Sequence, residues 1–191
     1  IIFLHTRTMF FIIAQLRIPH HFPAPSMITI RPAKIEDMAA VADIYNHYIT
    51  ETTVTFETEA VTTSDREKWF EQFSENGPHR LLVAEENARL IGFSSSVRYH
   101  ERAAYYTSVM TSVYLRNGES GRGVGKLLYK ELLKNLESHP ELHRAYALIS
   151  LPNDASLRLH KKFGFTDVGT LDEAGRKFDR YLSVKILQKN L

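Results

Sequence analysis

The run Ser120-Gly121-Arg122-Gly123-Val124-Gly125-Lys126 carries the clearest chemical signal in the chain. Alternate glycines let a backbone turn tightly and come close to a ligand. Behind them Leu127, Leu128, Leu132, Leu133 and Leu136 recur as the apolar stripe of a helix. The start of that helix presents unpaired N–H groups and the positive end of a dipole, and loop and helix together suit a pyrophosphate. Two nucleotide templates are excluded. No Gly-Lys-Ser/Thr is present, so the loop is not a P-loop. Gly121-x-Gly123-x-Gly125 also lacks the G-x-G-x-x-G spacing of dinucleotide folds. A second cluster, Asn153-x-x-Ser156-x-x-x-His160-x-x-x-Gly164-Phe165, puts Asn153 at a helix N-terminus and Ser156 and His160 on one helix face. His139, Glu141 and His143 lack metal-ligand spacing and read as a polar loop, so no metal is expected.

The elements that position these groups follow from periodicity. Residues 27–31 alternate as a first strand that Pro32 ends, and residues 35–49 form an amphipathic helix. Ser64-x-x-Glu67 reads as a capping box, opening a helix that buries Trp69, Phe70 and Phe73. Residues 81–84 and 90–98 make a hairpin about the turn 86–88. Residues 108–115 form a long strand with Val109, Thr111, Val113 and Leu115 on one face and Ser108, Met110, Ser112 and Tyr114 on the other. After the glycine loop and its helix come a strand at 145–151, a short helix to Lys162, a strand from Gly164-Phe165 and a last strand at 178–186. This order predicts one mixed α/β domain whose sheet is not purely parallel.

The chain has 191 residues, 43% hydrophobic and 24% charged, as folded proteins do. It has no cysteine, which excludes disulfides, thiolate nucleophiles and cysteine zinc sites. That absence fits a reducing cytoplasm, the expected location. The net charge of +2 is supplied by Arg7 and Arg17, the only charged side chains of residues 1–26. Residues 27–191 are neutral and show no basic stripe, so nucleic acid is not an expected partner. Residues 1–26 are apolar but interrupted, too short in their longest run to span a membrane. They read as an extension outside the fold, with Pro23 and Pro25 marking the boundary to a domain at 27–191.

The loop and the Asn153 cluster together resemble the signatures of the GNAT superfamily of acyl-CoA-dependent N-acetyltransferases. Further segments resemble its phosphinothricin and methionine-sulfoximine acetyltransferase branch: Arg31-Pro32-Ala33, Thr55-Phe56-Glu57, Glu101-Arg102 to Tyr105, Ser112-Val113-Tyr114, the Arg158-Leu159-His160 run, and Lys177-Phe178-Asp179-Arg180-Tyr181. The resemblance implies a mostly antiparallel sheet with a splayed parallel pair, about four flanking helices, acetyl-CoA as cofactor, a small amino-acid-like amine as substrate and a homodimer. It places the pantetheine arm on the backbone of Val113 and Leu115. The pyrophosphate falls on Ser120, Gly121, Gly123, Val124, Gly125 and Lys126, with charge from Arg122. Asn153 and Ser156 then lie near the sulfur. His160 becomes the acid for the leaving thiolate, and Phe56, His100, Arg102 and Met110 the acceptor side; Glu57, His100 and Glu101 are the candidates for the base. Met110 departs from the branch, standing where a glutamate is the proposed base. A methionine takes no proton, so a non-catalytic acyl-CoA-binding protein is one competing expectation; a protein N-terminal acetyltransferase, as in other GNAT branches, is another.

Overall fold

A computed structural model describes residues 27–191, and residues 1–26, the expected extension, lie outside the described residues. The elements are β1 (Thr29–Pro32), α1 (Met38–Glu51), α2 (Thr63–Phe70), β2 (Arg80–Glu86), β3 (Arg89–Arg98), β4 (Ser108–Leu115), α3 (Val124–Glu137), β5 (Arg144–Ser150), α4 (Asp154–Lys162), β6 (Thr166–Lys177) and β7 (Arg180–Asn190). Short 3-10 turns at Ile35–Asp37 and Ala103–Tyr105 lead into α1 and β4. The strands form one mixed sheet in the order β1-β2-β3-β4-β5-β7-β6, the α/β architecture with four helices that the element order and resemblance imply. All neighbours are antiparallel except β4 and β5. None of the described helices is long and apolar enough to cross a membrane.

Each sheet face carries its own core. On one face α3 buries Leu128, Tyr129, Leu132, Leu133 and Leu136 against Val109, Ala145 and Ala147. A fully buried leucine stabilises by about 1.5–3 kcal/mol, so this stripe fixes the helix whose first turn matters below. Leu127, expected in the stripe, is instead 42% exposed. On the other face α1 places Met38, Val41 and Ile44 against Leu81, Val83 and Phe93. Gly92 lets β3 and β4 close on α3: a Cβ there would lie 2.7 Å from Leu115 Cδ2 and 2.9 Å from the Tyr114 carbonyl.

Two local expectations are corrected. The cap of α2 is Thr62-x-x-Asp65, two residues ahead of Ser64-x-x-Glu67. Thr62 Oγ1 accepts from the Asp65 N–H at 3.1 Å, and Asp65 Oδ2 accepts from the Thr62 N–H at 2.8 Å. The shorter carboxylate, three residues on, reaches the cap backbone. The last strand does not start at Phe178. Phe178 and Asp179, at φ 48° and 57°, are the two-residue turn joining β6 to β7. Both central residues of such a hairpin turn need left-handed backbone, and neither residue type announces it.

The decisive feature is the parallel pair. The β4–β5 ladder covers only Ser108↔Arg144, Val109↔Ala145 and Met110↔Tyr146. Beyond it the strands diverge. The Thr111 hydroxyl spans the point of divergence, donating to the Tyr146 carbonyl at 3.0 Å and lying 2.6 Å from the Tyr129 hydroxyl. Since the Thr111 proton goes to the carbonyl, Tyr129 donates to Thr111, and α3, β4 and β5 are tied at one point.

Candidate active site

A cleft of about 520 Å³ occupies the gap that β4 and β5 leave. Bonding between β3 and β4 alternates, and Arg116 N–H pairs with the Ile91 carbonyl. By that alternation Thr111, Val113 and Leu115 turn their N–H and C=O groups away from β3; the Thr111 N–H closes the last rung of the β4–β5 ladder on the Tyr146 carbonyl, and beyond it the groups of Val113 and Leu115 face the gap. Leu115 is already partnered there. Its N–H donates to the Tyr48 hydroxyl at 3.1 Å, and the hydroxyl donates to its carbonyl at 2.8 Å. Leu115 lines the cleft too, but with its N–H committed to Tyr48 it is Val113 whose backbone groups have no recorded partner on that side.

At the mouth of the gap sits the glycine loop. Gly121 and Gly123, at φ 82° and 83°, hold left-handed backbone that only glycine adopts without strain. Gly123 caps α3 with no side-chain acceptor, and the first backbone bond of the helix is Leu127 N–H to the Gly123 carbonyl at 3.1 Å. The N–H groups of Val124, Gly125 and Lys126 therefore lack helical partners. Ser120, Gly121, Gly123, Gly125 and Lys126 line the cleft. The Val124 side chain is fully buried, so it contributes backbone alone. Arg122, expected to add charge toward the cleft, does not line it. Its guanidinium donates to Glu86 at 2.7 and 2.9 Å and to Glu119, and these bonds, Glu86 first, raise its pKa further.

The opposite wall is α4. Asn153 Oδ1 caps it by accepting from the Ser156 N–H at 3.1 Å, and both residues line the cleft. Arg158 and Lys162 line it as well, which the motif reading missed. The spacing Ala155, Arg158, Leu159, Lys162 is one helical face and was the available signal. Among the described residues Lys126, Arg158 and Lys162 have no carboxylate partner within ion-pair distance. The donor set thus fits a phosphate-bearing ligand: unpaired N–H groups, three cations and an open strand edge in one groove.

His160 lines the cleft but is 2% exposed, wedged against Tyr129 and Phe165 at 4.8 and 5.1 Å between ring centres. Its Nδ1 lies 2.8 Å from the Ser156 carbonyl, which can only accept, so Nδ1 carries the proton. Nε2 is buried without a partner, and burial lowers the pKa despite that carbonyl. The Nδ1 proton is thus committed to the Ser156 carbonyl.

The remaining expected residues lie outside the cleft lining. Met110 is half-buried on β4 beside Val97 and Tyr146. Glu101 is almost fully exposed, 3.7 Å from Arg98. His100 Nδ1 accepts from the Arg102 N–H at 3.1 Å, and both residues are exposed. Phe56 and Glu57 sit on the loop after α1, whose Val54 does line the cleft. Among the described residues no carboxylate lines the cleft, and no cluster of His, Asp or Glu is arranged to hold a metal.

Similarity to known proteins agrees with this geometry. The profile described as acetyltransferase (GNAT) domain matches residues 30–184. A phosphinothricin N-acetyltransferase of Streptomyces coelicolor is 45% identical over 88% of this chain and 99% of its own length. A methionine sulfoximine/methionine sulfone acetyltransferase of Salmonella typhimurium is 32% identical over 86% of this chain and 95% of its own. The crystal structure of a GNAT superfamily phosphinothricin acetyltransferase from Sinorhizobium meliloti, in complex with acetyl-CoA, superposes with a TM-score of 0.81 at 27% identity, covering 86% of this chain and 88% of that one.

Proposed function

Since the chain belongs to the GNAT family of N-acetyltransferases, in the phosphinothricin and methionine-sulfoximine acetyltransferase branch, we propose that it transfers acetyl from acetyl-CoA to the primary amine of a small amino-acid-like acceptor. One observation carries this reading: the cleft runs unbroken from the unpaired N–H groups of α3 to the gap between β4 and β5. When bound, acetyl-CoA supplies a thioester that an amine attacks directly.

The chain's own groups then divide the tasks. N–H groups of residues 124–126, with Lys126, Arg158 and Lys162, hold phosphate charge. The backbone of Val113 pairs with an amide-bearing arm. The arm takes the Val113 carbonyl, and the Val113 N–H, turned into the gap, stabilises charge that grows on a carbonyl oxygen. Glu57 accepts the amine proton through water, because Met110 cannot and Glu101 faces Arg98. Arg102 and His100 meet an acceptor carboxylate at the rim. An ordinary thiol titrates near ~8.5, so a departing thiolate needs little acid. Exposed Phe178 and Tyr181 contribute to a homodimer contact.

The lack of a cleft-lining carboxylate favours a second reading, acyl-CoA binding without turnover. Free-thiol release from acetyl-CoA with a panel of amino acids and amines, with product mass measured, separates them. The first reading predicts amine-dependent thiol release and a singly acetylated product, and Glu57→Gln lowers kcat/KM by about 100-fold. Tight binding with zero turnover, in the native chain and in Met110→Glu alike, would establish the second.

A further inference from the structure

We infer that Lys177 is a positioning residue that fixes the loop after α1, where Phe56 and Glu57 stand outside the acetyl-CoA cleft, and so governs use of the acceptor amine rather than of acetyl-CoA. The inference rests on the acetyltransfer reading for its kinetic half only.

Lys177, at the end of β6, is 4% exposed, and nothing in the chemistry above uses it. A buried ammonium must find acceptors. Its Nζ donates to the Thr55 carbonyl at 2.8 Å and to the Tyr48 carbonyl at 3.3 Å. The Tyr48 carbonyl belongs to the last turn of α1, where helical partners run out. A cation there is also favoured by the negative end of the helix dipole. The two carbonyls bracket Val54, and Tyr48 and Val54 both line the cleft. One amine therefore ties the loop to the end of α1.

A second contact grips the same loop. Gly175 lies two residues before Lys177, so the two positions project from the same side of β6. The Phe56 ring packs on Gly175 so closely that a Cβ would fall 2.3 Å from its Cε2. Hairpin β6–β7 thus holds Thr55 and Phe56 at adjacent points, which sets where Glu57 stands. Glu57 in turn acts on the ammonium: burial lowers the Lys177 pKa and the carboxylate raises it. The glycine loop and Asn153 make no contact with Lys177 among its recorded partners.

The test compares the full chain with Lys177→Met, Lys177→Arg and Gly175→Ala by amide hydrogen exchange and by steady-state kinetics. Exchange at residues 54–58 is expected to rise at least tenfold in Lys177→Met and in Gly175→Ala, with protection of α3 unchanged. The acceptor KM rises about tenfold in both while the acetyl-CoA KM stays within twofold, and Lys177→Arg recovers part of the loss. Unchanged exchange at 54–58, or an equal rise in both KM values, would overturn the inference. Absence of turnover in the native chain would refute the acetyltransfer reading instead, and the exchange data would still decide the role of Lys177.

Discussion

Arg122 and Lys126 are both cations of the glycine loop, yet they have different partners. Arg122 is spent on Glu86 and Glu119, tying the loop to the β2–β3 hairpin, while Lys126 faces the cleft. Lys126→Ala should weaken acetyl-CoA binding about tenfold, as loss of a charge-assisted phosphate contact does, whereas Arg122→Ala should change it less than about threefold, as exposed pairs usually do. Calorimetric titration of the two variants checks this; equal losses would contradict the assignment. In the sequence the two residues look alike, because a guanidinium's partners 36 and 3 residues away are invisible to a local motif. His160 was equally ambiguous: its spacing placed it at the cleft, but only the Ser156 carbonyl shows which nitrogen carries the proton. Arg158 and Lys162 lay on a readable helix face that the motif did not include.

At the scale of elements, periodicity identified α1, α3, β3 and β4 because each buries a stripe or alternates across a filled sheet face. It misplaced the α2 cap, where two Ser/Thr-x-x-acid patterns overlap, and the β6–β7 turn, where Phe178 and Asp179 adopt left-handed backbone without glycine. Thr111 is the element-scale residue with the largest consequence. Thr111→Val removes the hydroxyl that receives the Tyr129 proton and satisfies the Tyr146 carbonyl, leaving the Tyr129 hydroxyl buried. Unfolding in urea should show a loss of about 1–3 kcal/mol for that unpaired group. An unchanged midpoint would mean that the divergence of β4 and β5 is held elsewhere.

For the molecule as a whole, the site is a property of topology more than of any motif. Two parallel strands that pair for three residues and then separate leave an unpaired edge in the middle of a sheet, and the helix that follows β4 brings its own unpaired N–H groups to the mouth of that gap. Periodicity shows the loop and the strand but not the separation, which depends on pairing between segments far apart in the chain; only the family resemblance implied a splayed parallel pair. Whole-chain charge was no guide either: Lys126, Arg158 and Lys162 converge on the cleft of a domain whose net charge is zero. The central claim is that this groove holds acetyl-CoA. Hydrogen exchange of the full chain with and without saturating acetyl-CoA tests it most directly. Protection should appear at the Val113 amide, at the amides of residues 120–126 and at the start of α4. Protection confined to other segments, or none at saturating ligand, would contradict the account.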